Sequence, residues 1–157
     1  MTHTKKAIAA AGIAAVLASG AVYVVDLDGG GGVYDYVRKY DDLHARGVKV
    51  VIRGACYSSC TMALGYSNVC LMPDAVLGFH PAYVPYLFGL FGYQIHAEAT
   101  AEMRRHYPYD AFTVIDRHGG LNDNGGWFWP EVRFIRATEF PEHYRCTVSL
   151  SHIGESK

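Results

Sequence analysis

The spacing of hydrophobic positions changes along the chain beyond its N-terminal segment, and it predicts the order of the first elements. A run rich in β-forming residues at 22–27 predicts a β-strand that stops at the four glycines of residues 29–32. From Val33 onward, apolar side chains recur at helical spacing until Gly47, which predicts a helix that ends at a glycine. Residues 48–52 predict a second, buried strand. Strand, glycine turn, helix and strand in this order predict a right-handed parallel β–α–β unit.

The rest of the chain continues with short elements of both kinds. Residues 54–60 predict a turn that leads into a short apolar helix at 61–65. The further predicted elements are strands at 69–72 and 75–80 and helices at 97–106 and 110–117, followed by an aromatic, irregular segment up to Cys146. The pattern therefore predicts one α/β domain over residues 22–146.

The first residues of the chain have the features of an export signal. Lys5 and Lys6 precede the uncharged residues 7–25, and small residues occupy positions 19–21. We therefore expect residues 1–21 to be the signal peptide of a periplasmic or secreted protein, and residues 147–157 to form a flexible tail. Because the uncharged run is also long enough to cross a bilayer, anchoring in the inner membrane through residues 7–25 is the alternative.

Composition and charge narrow the classes of protein that this chain can belong to. Its 157 residues are 50% hydrophobic and 18% charged, which is enough apolar material for one packed core. Lys and Arg number 14 against 15 acidic residues, so the chain lacks the basic excess of a nucleic-acid-binding protein. We expect no nucleic-acid partner.

The four cysteines point to disulfide bonds. The spacing of Cys56 and Cys60 is not that of a C-x-x-C redox motif, and neither they nor Cys70 and Cys146 have zinc-finger spacing. A metal site made from three cysteines and a histidine is conceivable, but structural disulfides in an oxidising compartment fit the pattern better. The sequence leaves the pairing open, and we expect no metal and no cofactor.

Two residues lie where the chemistry of acyl transfer needs them. Ser58 is on a turn of small residues between a buried strand and a helix, where a hydroxyl is presented at the carboxyl end of the strand. His80 ends a second apolar strand and is the candidate general base. The glycines of residues 29–32 are a source of free backbone N–H groups for an oxyanion. The competing interpretation is that the serine caps a helix and the glycines only turn the chain.

Motifs in these segments resemble the Clp-protease/crotonase superfamily, in particular its exported bacterial branch. The matching segments read DGGGGV at 28–33, GVKVVIRG at 47–54, CYSSCT at 56–61, CLMPDAVLGFH at 70–80, YP at 107–108 and HGGL at 118–121, with Cys146 as the last cysteine. The resemblance covers the chain from about residue 26 to 146. It implies a reduced version of the spiral of ββα-type units that characterises the superfamily.

The same resemblance implies roles for individual residues. Ser58, four positions after Gly54, corresponds to the nucleophile, whereas Ser59 does not, and His80, seven positions after Pro73, corresponds to the base. The implied oxyanion donors are the backbone N–H groups of Ser59, Gly30, Gly31 and Gly32. For the acid of a triad we prefer Asp116 over Asp110, and a serine–histidine dyad without an acid stays open.

These residues predict an exported serine hydrolase, most simply a peptidase acting on a peptide or a small acyl substrate. The alternative is a catalytically inactive, disulfide-stapled binding or assembly module with the same fold. The resemblance also implies a homo-oligomer. We expect an apolar stretch directly after His80 to pack against a second subunit and to form one wall of the site. The alternatives are that it lines a substrate pocket, contacts a membrane or simply covers the core. Its large side chains are Tyr83, Val84, Tyr86, Leu87, Phe88, Leu90, Phe91 and Tyr93.

Overall fold

The computed structural model describes residues 20–122 and 130–147. The signal or anchor predicted over residues 1–21 lies outside the described residues except for its last two positions, and so does the predicted tail except for Thr147. Within the described ranges, no helix combines the length and the apolar character needed to cross a bilayer. Residues 22–25, the end of the uncharged run, lie in the first strand of the sheet.

The described chain is a mixture of helices and strands, which confirms the α/β class. The elements in chain order are β1 Val22–Asp28, α1 Val33–Ala45, β2 Lys49–Tyr57, β3 Val69–Leu71, β4 Val76–Phe79, β5 Tyr83–Pro85, β6 Tyr93–Ile95, α2 Ala97–His106, α3 Tyr109–Arg117 and β7 Arg133–Arg136. Short 3₁₀ helices lie at Ser58–Gly65, Tyr86–Gly89, Ala137–Glu139 and Glu142–Tyr144.

The main sheet is mixed and is built around β2. β1 is parallel to β2 on one side, while β3 and then β4 follow each other along its other side, also parallel. β7 closes the sheet as an antiparallel neighbour of β4, and β5 and β6 form a separate hairpin. In this register Asp28 pairs with Cys56, and Tyr57 pairs with Gly78. The chain therefore leaves β1, β2 and β4 at the same edge of the sheet.

Most predicted elements are present, and the differences are local. The parallel arrangement of β1 and β2 around α1 is confirmed, and Gly47, just beyond α1, has a φ of +66°, where a glycine is favoured. β2 is longer than predicted because it continues across Gly54 to Tyr57, so that the predicted turn over 54–60 is reduced to the serines that follow. The β5–β6 hairpin and β7 were not predicted.

The described chain contains two disulfides, and three of the four cysteines are buried in the core. The prediction of at least one disulfide is confirmed by two pairs, Cys56–Cys60 and Cys70–Cys146. The second pair ties β3 to the end of the described chain, where the Cys146 amide also donates to the Leu71 carbonyl at 3.0 Å. The largest fully buried side chains are Tyr40, Phe79, Ile52, Met62, Leu64, Leu71, Leu77, Met103, Ile115 and Ile135.

Candidate functional site

A cavity of about 520 Å³ lies at the edge of the sheet where β1, β2 and β4 end. The three segments that leave these strands all contribute to it, together with the start of the hairpin and of α2. The lining residues are 29–34, Ser58, His80, Ala82, Tyr83, Val84, His96 and Ala99. The structure therefore brings the predicted nucleophile, the predicted base and the glycine turn to one cavity.

Ser58 has a backbone conformation that is unusual for a residue with a side chain. Its φ is +57°, in the left-handed region that costs a non-glycine residue about 1–2 kcal/mol. The residue is the first of the 3₁₀ helix, and its carbonyl accepts a hydrogen bond from Thr61 Oγ1 at 2.6 Å. It is also the middle residue of the five-residue loop closed by Cys56–Cys60. A strained serine at a strand-to-helix junction is the arrangement that exposes a nucleophilic hydroxyl.

His80 is buried, and its immediate neighbours determine its tautomer. Its Nδ1 lies 2.8 Å from the Pro81 carbonyl oxygen, and the imidazole packs on Tyr83 with ring centroids 5.4 Å apart. A carbonyl oxygen only accepts hydrogen bonds, so Nδ1 carries the proton and Nε2 keeps its lone pair. Burial lowers the pKa of His80 below its ordinary value of 6.5, although the bond to Pro81 opposes that shift. The ring is therefore a neutral base at neutral pH.

The structure does not bring the predicted acid to this histidine. Asp116 is exposed near the end of α3 and is not among the residues that line the cavity in the described chain. Asp110, the other candidate, interacts with His143 at 3.1 Å and lines a different hollow. The place that a triad acid would take at Nδ1 is occupied by the Pro81 carbonyl.

The predicted oxyanion donors differ in availability. The Gly30 amide donates to Asp28 Oδ1 at 2.9 Å, and the Gly31 amide donates to Ser59 Oγ at 2.8 Å. Ser59 Oγ in turn donates to the Gly31 carbonyl at 2.9 Å. These two glycine amides are therefore engaged elsewhere, which corrects the expectation that all three glycines are donors. Within residues 20–122 and 130–147, the Gly32 amide has no hydrogen-bond acceptor.

The glycine turn and the serine turn are in direct contact. A Cβ atom added to Gly30, whose φ is +80°, would lie 2.6 Å from Ser58 Cβ, 2.7 Å from the Tyr57 carbonyl oxygen and 3.0 Å from the Ser59 amide nitrogen. Only glycine allows this approach. The Ser59 amide is at the start of a 3₁₀ helix, where N–H groups have no acceptor within the helix.

Asp28 organises the turn, although the sequence analysis named it only within the DGGGGV segment and gave it no role. Its carboxylate accepts hydrogen bonds from the Gly30 amide, from the Tyr36 hydroxyl and from Lys39 Nζ, the last at 3.1 Å. Burial raises the pKa of this carboxyl, but the hydrogen bonds outweigh burial and hold the pKa below its ordinary value. An aspartate directly before a glycine run is a known turn signal, and it was the one available clue.

His96 is a second histidine at the cavity that the sequence analysis did not single out. Its Nδ1 accepts a hydrogen bond from the Ala99 amide at 3.2 Å and so caps the first turn of α2. The cavity lining contains no Asp, Glu, Lys or Arg among the described residues. Over residues 20–122 and 130–147, no three or more His, Cys, Asp and Glu side chains lie close enough together to hold a metal ion.

Comparisons with protein-family models, with curated proteins and with solved structures find no match to this chain. Any functional assignment therefore has to come from the residues of the cavity themselves.

Proposed function

We propose that this protein is an exported serine hydrolase in which Ser58 and His80 form a catalytic dyad. His80 Nε2 removes the hydroxyl proton as Ser58 Oγ attacks the carbonyl carbon of the substrate. The protonated imidazole then delivers this proton to the leaving group as the acyl–oxygen or acyl–nitrogen bond breaks. A water molecule, deprotonated by the same histidine, attacks the acyl-serine, and the proton returns to Ser58 Oγ. The Gly32 and Ser59 amides are the proposed donors to the oxyanion.

The observation that carries the proposal is the combination of a strained serine and a neutral histidine in one cavity. Either feature alone has a structural explanation, since serines start helices and histidines are often buried. A left-handed serine costs stability, and its surroundings hold it in that conformation. The Pro81 carbonyl supports the role of base because it selects the tautomer that a carboxylate selects in a triad.

Further features support the proposed compartment and substrate class. Two disulfides are compatible with a secreted or periplasmic protein. Because residues 22–25 belong to β1, the uncharged run that remains is 7–21, a length typical of the apolar part of a signal peptide. The uncharged cavity favours a neutral acyl group or an uncharged peptide side chain. The proposed architecture is a reduced Clp/crotonase-like domain.

One observation favours the second function, a catalytically inactive binding module of the same fold. Two of the three glycine amides expected at the oxyanion are hydrogen-bonded to Asp28 and Ser59. A site that retains fewer donors stabilises an oxyanion less. Such a module would bind its ligand in the cavity without forming a covalent bond.

A fluorophosphonate probe distinguishes the two functions, because it phosphonylates only an activated serine. We expect the purified wild type to be labelled and Ser58→Ala to lose labelling completely. The matched variant Ser59→Ala keeps the nucleophile but removes the hydroxyl that links the glycine turn to the serine turn, so it should still be labelled, at a lower rate because the site is held less firmly. Intact-protein mass spectrometry measures both. Absence of labelling in the wild type supports the binding module, and equal labelling of both variants contradicts the assignment of Ser58.

A further inference from the structure

The β5–β6 hairpin exposes a contiguous apolar surface at its tip. The two strands pair from Tyr83–Ile95 to Pro85–Tyr93, and the turn between them is closed by a hydrogen bond from the Tyr86 amide to the Gly92 carbonyl at 3.0 Å. Six apolar side chains are exposed, and that of Phe88 is almost fully exposed. They are Val84 (43%), Tyr86 (51%), Leu87 (52%), Phe88 (99%), Leu90 (75%) and Phe91 (70%), which we call the tip cluster.

The tip cluster lies within a long uncharged segment. Between Asp74 and Glu98 the sequence has no Asp, Glu, Lys or Arg. Protein interfaces are usually surrounded by a polar rim and are enriched in arginine, and the hairpin provides no charged rim of its own. An uncharged apolar tip with tyrosines towards its base instead matches the chemistry of a lipid surface, where aromatic side chains settle at the level of the headgroups.

The size of the tip cluster also argues against a second copy as its main occupant. A stable protein–protein interface involves about 20–30 residues on each side. The tip cluster has six exposed side chains on a two-stranded hairpin. Such a narrow element suits insertion into the boundary between headgroups and acyl chains, where each apolar side chain is transferred out of water independently.

We propose that the tip cluster inserts into a lipid membrane and docks the domain on the membrane surface. The inserted side chains are those of the tip cluster, with Phe88 deepest. Tyr83 at the base of the same hairpin and Val84 at the edge of the tip cluster line the cavity that contains Ser58 and His80, so docking places this cavity beside the lipid surface. Membrane binding does not require Ser58 to be a nucleophile, and it can be tested without any measurement of hydrolysis.

The test uses the full chain and vesicles of phosphatidylcholine, with or without phosphatidylglycerol. We expect the quadruple variant Leu87→Ser, Phe88→Ser, Leu90→Ser, Phe91→Ser to partition into vesicles at least about tenfold more weakly than the wild type. The matched control Leu27→Ser, Tyr109→Ser removes two exposed apolar side chains elsewhere, 78% and 87% exposed, and should bind like the wild type. All variants keep the same N-terminal segment, so the difference reports on the hairpin alone. Added salt should leave the binding unchanged because the hairpin carries no charge.

A second measurement locates the tip directly. Tryptophan fluorescence of Phe88→Trp, after subtraction of the wild-type signal, should be quenched by lipids brominated on their acyl chains, whereas that of Tyr109→Trp should not. Equal partitioning of wild type and quadruple variant, or an unquenched Phe88→Trp, overturns membrane docking. Light scattering that shows a wild-type dimer, dissociated by the quadruple variant, together with an unquenched tip, assigns the cluster to a second copy and also overturns it.

Discussion

Two regions of the described structure contain non-glycine residues with left-handed backbone, and the surroundings of these residues differ between the two regions. Among the described residues these positions are Ser58 (φ +57°) at the end of β2 and Leu87 (φ +44°) and Phe88 (φ +58°) at the hairpin tip. Ser58 lies inside a disulfide loop, against Gly30, with Ser59 completely buried next to it. Phe88 is 99% exposed and has nothing packed over its side chain in the described chain.

The surroundings of Ser58 and of the tip show that the fold holds the strained backbone of Ser58 more firmly. Ser58, the proposed nucleophile, is held by the disulfide, by the glycine contact and by the bond to Thr61. At the tip, the described residues that hold the turn belong to the short hairpin itself, and the apolar side chains of the turn are exposed. Preorganisation of a reacting group requires the first arrangement. Binding to a lipid surface, as proposed for the tip, needs only exposed apolar side chains.

The largest expected effect comes from removing the disulfide around Ser58. Cys56→Ala, Cys60→Ala should strongly reduce fluorophosphonate labelling, because the left-handed serine then relaxes, while unfolding free energy falls by only about 2 kcal/mol for so short a loop. The control variant Cys70→Ala, Cys146→Ala lacks the disulfide that joins residues 76 positions apart, so its free energy of unfolding should fall by about 4 kcal/mol. The folded fraction of this variant should still be labelled. Urea unfolding and probe labelling measure the two effects. Labelling of the first variant at the wild-type rate would show that the disulfide does not hold the serine.

A smaller effect is expected from the glycine that touches the serine. Gly30→Ala introduces a Cβ 2.6 Å from Ser58 Cβ and 2.7 Å from the Tyr57 carbonyl, at a positive φ, so we expect a loss of about 1–3 kcal/mol and much slower labelling. Gly29→Ala is the matched control, because a Cβ there meets no atom within 4 Å. Thermal unfolding with labelling rates separates the two variants. Similar results for both would mean that the turn moves away from the serine in solution.

The strands and helices were predictable wherever the apolar pattern had a clear period and a glycine or proline ended it. This holds for α1 and for α2, whose bounds agree with the sequence interpretation. β7 alternates buried and exposed residues, but four residues within an aromatic segment are too few to show a period. The hairpin was missed because β5 and β6 have only three residues each, too few to show a period.

The candidate site was predictable as far as it depends on residue type and spacing. Ser58 and His80 each follow a predicted strand, and the resemblance assigned them to one site. The parallel pairing of β4 with β2, which brings both residues to one cavity, is not part of the predicted β–α–β unit. The partner of His80 Nδ1 was not predictable, since a backbone carbonyl has no sequence signature. The hydrogen bonds that the glycine amides donate to Asp28 and Ser59 depend on side-chain positions that only the folded chain defines.

The smallest effect is expected for two substitutions of Phe88, which test whether the tip keeps its left-handed backbone in solution. At an ordinary position, a variant with glycine is less stable than one with alanine because glycine makes the unfolded chain more flexible. At a position with positive φ the order reverses. Phe88 has no packing to lose, since it is 99% exposed. We therefore expect Phe88→Gly to unfold with a free energy about 1 kcal/mol higher than that of Phe88→Ala, because only alanine keeps the Cβ that conflicts with the left-handed backbone. Urea unfolding of the two variants measures this difference. An alanine variant at least as stable as the glycine variant would show that the tip leaves this conformation in solution, and the contrast with Ser58 would then be larger still.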